Sequence, residues 1–586
     1  MDYSSFTNTS YQIYQLPSWN RSHDMAVIST LLVSLPLPLV LMLLVFAPLV
    51  VVKLKGSITT RKQPPLPPGP IPWPIIRNLP VIWQNKPVFR WILGLMKQLG
   101  TDIACIRLGH VHVITVTSPE IAREFLKKHD FVFASRPKTM AAEYATRGFL
   151  SSALVPWGDQ WKKMRKVIAS NVINPARLSW LLHKRTQEAD NLVRFIYNQC
   201  INHENMHGGV INLRLTVRQY TGNVIRRMMF NTRYFGKGRE DGGPGYEEEQ
   251  HVESLFTVLM HLNSFILSDY VPWLRPLDLE GHEKTVSEAM RIVNGYHDPL
   301  VDERIKETQC SQNSSLQVFV PFNNPCLARV CKDFSPAWPK RICHSCVASA
   351  SFLVLEIAAA VVPTTPALSA EEIKAQITDL MLATVDNPAN AAEWAMAEML
   401  NNPEILRKAT DEIDSVVGKS RLVEETDIPK LNYIKCCARE AFRLHPIGPF
   451  NVPHVSNADT TVAGYFIPKG SRVLISRRGL DPKVLEEPLE FKPERHLKDD
   501  WGSGGVELTE NEVRFISFGT GRRGCIGVGL GSAVTIMLFA RLIQGFTWEV
   551  PPNVTKIDLS ESDTLLAKPL YALAKPRLSP ALYTQL

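Results

Sequence analysis

The chain has 586 residues, 45% of them hydrophobic and 21% charged, with a formal net charge of +8. That is ample apolar material for one large core, while no internal repeat and no nucleic-acid-binding motif is present. The positive balance points no further than to acidic partners or an anionic membrane face.

Residues 26–52 carry no charge and are long enough to span a bilayer. Pro36, Pro38 and Pro48 interrupt the run, which membrane helices tolerate. A cleaved signal peptide is the alternative, weakened by the length of the run. Lys53, Lys55, Arg61 and Lys62 follow it, so the positive-inside rule puts the body of the chain in the cytosol. Residues 1–25 are then a luminal tail with the sequons Asn8-Thr9-Ser10 and Asn20-Arg21-Ser22. In the cytosol the ten cysteines need not pair. Residues 53–79 form a basic, proline-rich hinge, stiff from Pro64 to Pro74.

The body, 80–586, reads as mainly α with small β-sheets. Alternating Ile, Val and Thr over 103–117 predict a sheet. Residues 119–305 read as helices with a clear loop at 236–245. A long helix is expected over 370–401 with Ser369 as its N-cap. A strand follows at 472–475, and an apolar helix from about Val528 to Phe546. Trp161 and Arg165 are four apart, Glu440 and Arg443 three apart, so each pair shares a helix face.

The most informative stretch is Phe518-Gly519-Thr520-Gly521-Arg522-Arg523-Gly524-Cys525-Ile526-Gly527. A cysteine in a glycine-rich loop at a helix N-terminus meets backbone N–H groups and a positive dipole, which favour a thiolate. This loop closely resembles the haem-thiolate loop of the cytochromes P-450, where the cysteine is the axial iron ligand. Glu440 and Arg443, with Arg495 in Pro493-Glu494-Arg495-His496, resemble that family's structural triad. The resemblance implies one mainly helical domain with an N-terminal anchor and haem b ligated by Cys525. It places Phe518 and Gly521 in the cofactor loop, and Arg523, Trp161, Arg165 and His454 at the propionates.

Asp386-Asn387-Pro388-Ala389-Asn390-Ala391-Ala392-Glu393-Trp394 resembles one plant branch, family 79, which converts amino acids to aldoximes. Most relatives outside it have threonine where Asn387 stands. Pro388 should kink the helix and free the Thr384 carbonyl. The resemblance makes Asp386, Asn387 and Pro388 the catalytic set. It implies two N-hydroxylations of an L-amino acid, using O2 and electrons from NADPH through cytochrome P-450 reductase. Loss of water and CO2 then leaves the aldoxime, which feeds cyanogenic glucoside, glucosinolate or volatile nitrogenous defence metabolism. The implied setting is a single pass of the endoplasmic reticulum membrane, in contact with lipid, with no nucleic-acid partner. Phe149, Phe450 and Leu566 fall where the family contacts substrate, and Arg147 is a candidate carboxylate partner. Lys162, Lys163 and Lys166 offer a docking face to an acidic reductase. A haem-thiolate isomerase or dehydratase, needing no reductase, is the alternative chemistry.

Two stretches depart from the family. Residues 306–369 carry five cysteines and a short apolar run from Val347 to Val362. They read as misassembled or non-coding sequence replacing a family helix, which would leave an inactive relative, or else as an unusual insertion. Ser476 to Leu485 is about two residues shorter than in relatives.

Overall fold

The computed structural model describes residues 64–74, 76–201, 209–313, 368–478, 485–497, 505–509, 513, 516–562 and 565–586. The expected tail and span at 1–52 lie outside them, as do 314–367 of the atypical segment and 479–484 of the shortened connection.

Helix α1 (Val88–Gln98) buries Phe89, Ile92 and Met96 against a small sheet. That sheet begins with the antiparallel hairpin of β1 (Ile103–Leu108) and β2 (Val111–Val116), in register Ile103 to Val116. The helical body then runs through α2 (Asp159–Val167) and α3 (Leu182–Ile201), the short β3 (Val210–Asn212), and α4 (Leu213–Phe230), α5 (Tyr246–Leu262) and α6 (His282–Asn313). At its centre lies α7 (Ala370–Asn401), packed on α4, α5 and α6. It also packs on α8 (Asn432–Leu444) and, later in the chain, α9 (Val528–Gly545). Strands β4 (His454–Val455) and β5 (Arg472–Ile475) complete the first sheet in the order β1-β2-β5-β4, β5 running parallel to β2. After α9, β6 (Phe546–Glu549) pairs with β9 (Tyr571–Pro576), which also pairs with β3. Between them β7 (Glu561–Ser562) and β8 (Leu565–Leu566) form a hairpin.

The start of α7 is set locally. Ser369 Oγ accepts the Glu372 N–H at 3.2 Å, and Glu372 Oε2 accepts the Ser369 N–H at 2.8 Å, a reciprocal capping box. The helix is alanine-rich and continues unbroken through Pro388 to Asn401. Among the described residues α9 alone is long and apolar enough to cross a membrane, and most of it is buried in the core.

Glu440 on α8 is fully buried and meets two guanidiniums and an imidazole. Arg443 reaches it at 2.7 and 2.8 Å, Arg495 at 2.9 Å, and His496 Nε2 at 2.8 Å. Arg443 and Arg495 also donate to the carbonyls of Glu486, Glu487, Pro488 and Glu490. The expected triad is therefore formed, with His496 as an unexpected fourth member. The Trp394 ring on α7 lies flat on His445, with centroids 3.8 Å apart, and His445 Nε2 meets Glu398 at 2.7 Å. These contacts lock the end of α8 to α7.

Burial drives the His496 imidazole down to about 4, against the pull of Glu440. Burial also pushes Glu440 up, but hydrogen bonds and charge from Arg443 and His496 bring it down to about 2. Both folded values lie below the unfolded ones, so the unfolded chain binds more protons in acid. The imidazole's contribution is complete above pH 6.5 and lost as pH falls through about 4, the carboxylate's as pH falls through about 2. His496→Phe should therefore shrink the stability loss between pH 6.5 and 4, measured by urea titration at each pH. It should not abolish the loss, since burial also holds His251, His297 and His454 low. An unchanged slope would show that His496 does not fold as a neutral ring. Arg443→Ala leaves Glu440 buried without its main partner and should cost about 3–5 kcal/mol, seen as a lower urea midpoint.

Candidate active site

The glycine-rich loop docks on α8. The Phe518 ring meets Phe442 edge-on, with centroids 5.6 Å apart. The Cys525 N–H donates to Phe518 O at 2.8 Å and the Gly524 N–H to Gly521 O at 3.0 Å, which closes the loop. Gly521 has φ +69°, and a Cβ there would lie 2.5 Å from Leu126 O, so no side chain fits. The residue Cys525 is exposed, yet burial is the main influence on its thiol and pushes its pKa up. Surface without bulk hydration means that the sulfur faces an internal space. The Gly527 N–H, Arg165 and Arg477 pull the other way, toward thiolate.

Cations surround that sulfur. Arg165 on α2 donates to Gly524 O at 3.0 Å. The Trp161 ring carries Arg523 at 4.7 Å and Arg165 at 5.6 Å, and is itself packed on Trp157. Arg523 donates to Ala134 O at 2.5 Å and Val155 O at 2.7 Å. Arg136 donates to the carbonyls of Val452 and Pro453 at 2.6 and 3.0 Å. Arg477 donates to Ile516 O and Ser517 O at 2.9 and 2.7 Å. His454 is buried, with Nδ1 donating to Phe133 O at 2.7 Å. Burial and the neighbouring Arg165 bring Arg523 down to about 9. Burial likewise lowers Arg136, with Arg523 adding to the effect. None of these four guanidiniums has a carboxylate within ion-pair reach among the described residues. Carbonyl partners orient them without neutralising them, so the site suits an anionic group beside the sulfur. A haem, with two propionates and an iron for the thiolate, fits this donor set.

The facing element is α7. Over Ile373–Leu400 it is buried along its length except at Ala383, Thr384 and Asn387, which open on one turn. Asn387 Nδ2 donates to Ala383 O at 2.8 Å, so the side chain caps a backbone carbonyl and leaves Oδ1 as an acceptor. Asp386 is buried; desolvation lifts it to about 6 although Arg218 and Arg477 pull it down. Arg477 interacts electrostatically with both Asp386 and Cys525, so its guanidinium lies near each of them. About two turns earlier, Asp379 accepts the N–H groups of Ser152 and Ala153 at 3.1 and 2.9 Å and the Ser152 hydroxyl at 2.9 Å.

Several sequence expectations land elsewhere. Phe450 is 8% exposed and packs in the sheet core with Phe89 and Leu474; Leu566 is 2% exposed in the main core. Their side chains therefore face protein. Phe149 keeps accessible surface, with φ +69° and the Lys138 ammonium over its ring at 5.8 Å. Arg147 already pairs with Asp298 at 2.5 Å and Glu371 at 3.0 Å, which removes it as a free carboxylate partner. Lys163 is tied to Glu372 at 2.7 Å, while Lys162 stays exposed beside Asp159. Arg136, Arg477 and Asp379 were not expected. Arg477 lies in the shortened connection, whose paired arginines, Arg477-Arg478, were its one visible sign.

The cytochrome P-450 family pattern matches residues 67–574. The chain is 57% identical over 524 residues to a phenylalanine N-monooxygenase of Arabidopsis thaliana, covering 88% of this chain and 92% of that protein. It is 53% identical to a tryptophan N-monooxygenase of Prunus mume, over 89% and 91% of the two chains. An isoleucine N-monooxygenase of Lotus japonicus is 49% identical, over 90% and 92%.

Trp161 is the platform for two guanidiniums, so its loss should be felt beyond its own packing. Trp161→Ala is expected to destabilise the fold by about 3–5 kcal/mol, measured by chemical denaturation. A loss under about 1 kcal/mol would mean that the arginines are held by their carbonyls alone.

Proposed function

Since the chain belongs to the cytochrome P-450 family, we propose that it N-hydroxylates an L-amino acid twice and releases the aldoxime, with loss of CO2 and water. Electrons come from NADPH through a reductase. The observation that carries the site assignment is Cys525: an accessible sulfur in desolvated surroundings, with the unneutralised Arg165 and Arg477 acting on it. Haem supplies the activation of O2 when bound, and the thiolate ligand strengthens O–O cleavage by electron donation.

The residues divide the remaining work. Cys525 Sγ would ligate the haem iron, steadied by the Gly527 N–H. Arg165, Arg523, Arg136 and His454 would hold the propionates by charge-assisted hydrogen bonds. An anion there would also lift His454 toward its charged form, with Nε2 then a donor. Asn387 Oδ1 accepts a hydrogen bond from a water in the open turn. Asp386, near 6, both holds and releases a proton close to neutral pH. That places a proton source beside Asn387 without a hydroxyl side chain. The substrate nitrogen must lose its own proton to expose a lone pair, which desolvation in this space favours.

The aromatic and branched-chain amino acids in the relatives' names define the range in which this substrate is sought. The reductase is the NADPH–cytochrome P-450 reductase, met at the cytosolic face of the endoplasmic reticulum. The uncharged run at 26–52 supports that location.

Full-length protein in microsomes should give a thiolate-type Soret band when reduced under carbon monoxide. With NADPH, reductase and O2 it should turn an L-amino acid into its aldoxime. Cys525→Ser should lose that band and the product together. Product formed without NADPH would overturn the monooxygenase reading. Asp386→Asn should slow turnover by about 10²–10⁴-fold with the band retained; unaltered turnover would remove Asp386 from proton handling.

A further inference from the structure

Pro388 leaves one turn of α7 short of an internal hydrogen bond, since proline offers no N–H to the Thr384 carbonyl. The two neighbouring carbonyls each take a side-chain donor. Asn387 Nδ2 donates to Ala383 O at 2.8 Å from within the helix. Thr221 Oγ1, fully buried on α4, donates to Val385 O at 2.9 Å from across the helix interface. Its own helix offers the Thr221 hydroxyl two other carbonyls, Val217 O and Arg218 O, both at 3.2 Å. A hydroxyl has one proton to give, and Val385 O is the nearest acceptor. The Val385 carbonyl belongs to the same planar peptide as the Asp386 N–H and Cα. Holding that oxygen therefore holds the backbone on which the Asp386 carboxyl stands. Arg218, three residues before Thr221, shares its face of α4 and acts electrostatically on Asp386. The Arg218 guanidinium stands 3.5 Å from the centre of the Phe256 ring on α5, which anchors its charge without cancelling it. Arg218 and Arg477 are the charged groups that act on Asp386 among the described residues; Glu393, Arg214 and Glu253 act in turn on Arg218.

We propose that Thr221 is a positioning residue: its hydroxyl draws the Val385–Asp386 peptide of α7 toward α4 and so sets how close the Asp386 carboxyl stands to Arg218. This rests on the reading of Asp386 as the proton-handling group. Thr221 is wholly buried between the two helices, so it acts through that peptide and not on substrate. A turn that proline has weakened is where an outside donor has most leverage, because the internal bond that would resist movement is missing. With the hydroxyl gone, the peptide relaxes toward its own helix and the carboxyl recedes from Arg218. It then keeps its proton to higher pH, since the cation that favours its charged form is farther away. Serine at this position keeps the hydroxyl and loses the methyl, whereas alanine loses both. The two variants differ by the hydroxyl alone.

The test uses haem-loaded full-length protein. The Asp386 carboxyl is titrated by the infrared C=O band of its protonated form, assigned by its absence in Asp386→Asn. Amide hydrogen exchange is followed at 386–390, with 373–379 of the same helix as reference, and turnover of L-phenylalanine is measured alongside. In Thr221→Ala, exchange should quicken at 386–390 and not at 373–379. The infrared midpoint should rise by about one pH unit, with turnover reduced and the reduced carbon-monoxide band unaltered. Thr221→Ser should behave as the unaltered protein in every readout. Should Thr221→Ala fail to load haem, Thr221→Val removes the hydroxyl at nearly constant volume and carries the same expectation. An unmoved midpoint alongside faster exchange would reduce Thr221 to a stabilising role and overturn the proposal. So would unchanged exchange at 386–390, a Thr221→Ser that behaves like Thr221→Ala, or the lack of any Asp386-dependent band. If midpoint and exchange respond while turnover is unaltered in both Thr221→Ala and Asp386→Asn, the positioning stands and the proton-handling reading is what fails. If the unaltered protein does not convert L-phenylalanine, midpoint and exchange still decide the positioning.

Discussion

Beyond its first turn, α7 carries four buried carboxylates that constrain much of what surrounds them. Asp379, Asp386, Glu393 and Glu398 all lie on α7 at 7% exposure or less. A carboxylate taken out of water must be hydrogen-bonded, paired or protonated. Asp379 meets this demand with the N–H groups of Ser152 and Ala153, Glu393 with Arg214, and Glu398 with His445. Each solution ties a different part of the chain to α7: the segment after Phe149, the start of α4, the end of α8. Asp386 is the exception, with no hydrogen bond among the described residues and two arginines at longer range. The helix is therefore rigid at three of its carboxylates and electrostatically unsettled at the fourth. The unsettled one shares Arg477 with the cysteine.

Charge is distributed unevenly across that space. The cysteine side is cationic and its guanidiniums are oriented by carbonyls; the helix side is anionic and its carboxylate is lifted by burial. A carbonyl aims a guanidinium but removes none of its charge, so the field at the sulfur stays positive. That field favours a thiolate against the burial that opposes it, and favours a nearby amine in neutral form. Both conditions are what oxidation at nitrogen requires, and they arise from different sets of residues. Arg477 is the one group that feels both sides.

What was legible in the sequence was what is local. The Ser369 N-cap, the Glu440–Arg443 spacing and the Phe518–Gly527 loop each close within a few residues, and each formed as read, while the returning Glu372 contact was added by the structure. Helix, strand and loop boundaries from 103 onward follow the same logic. Long-range side-chain-to-backbone contacts were not legible. Arg136 reaches carbonyls 316 and 317 residues away, and Arg214 one 352 residues away. Such contacts leave no periodicity and no spacing, because any carbonyl will serve. The same ignorance misplaced Phe450 and Leu566, whose side chains turn into cores. His496 was visible as an oddity beside Arg495, but its partner lies 56 residues back.

The unneutralised arginines have a consequence for biogenesis. Arg136, Arg165 and Arg523 repel one another in a desolvated region, so the polypeptide alone folds against its own charge. An anionic cofactor that settles among them removes that repulsion and binds only the folded chain. Folding and cofactor loading are then one equilibrium, displaced toward the native state as the ratio of free cofactor to its dissociation constant grows. The cellular supply of cofactor would act as a folding ligand, and the abundance of this protein would track it even where the rate of synthesis is constant.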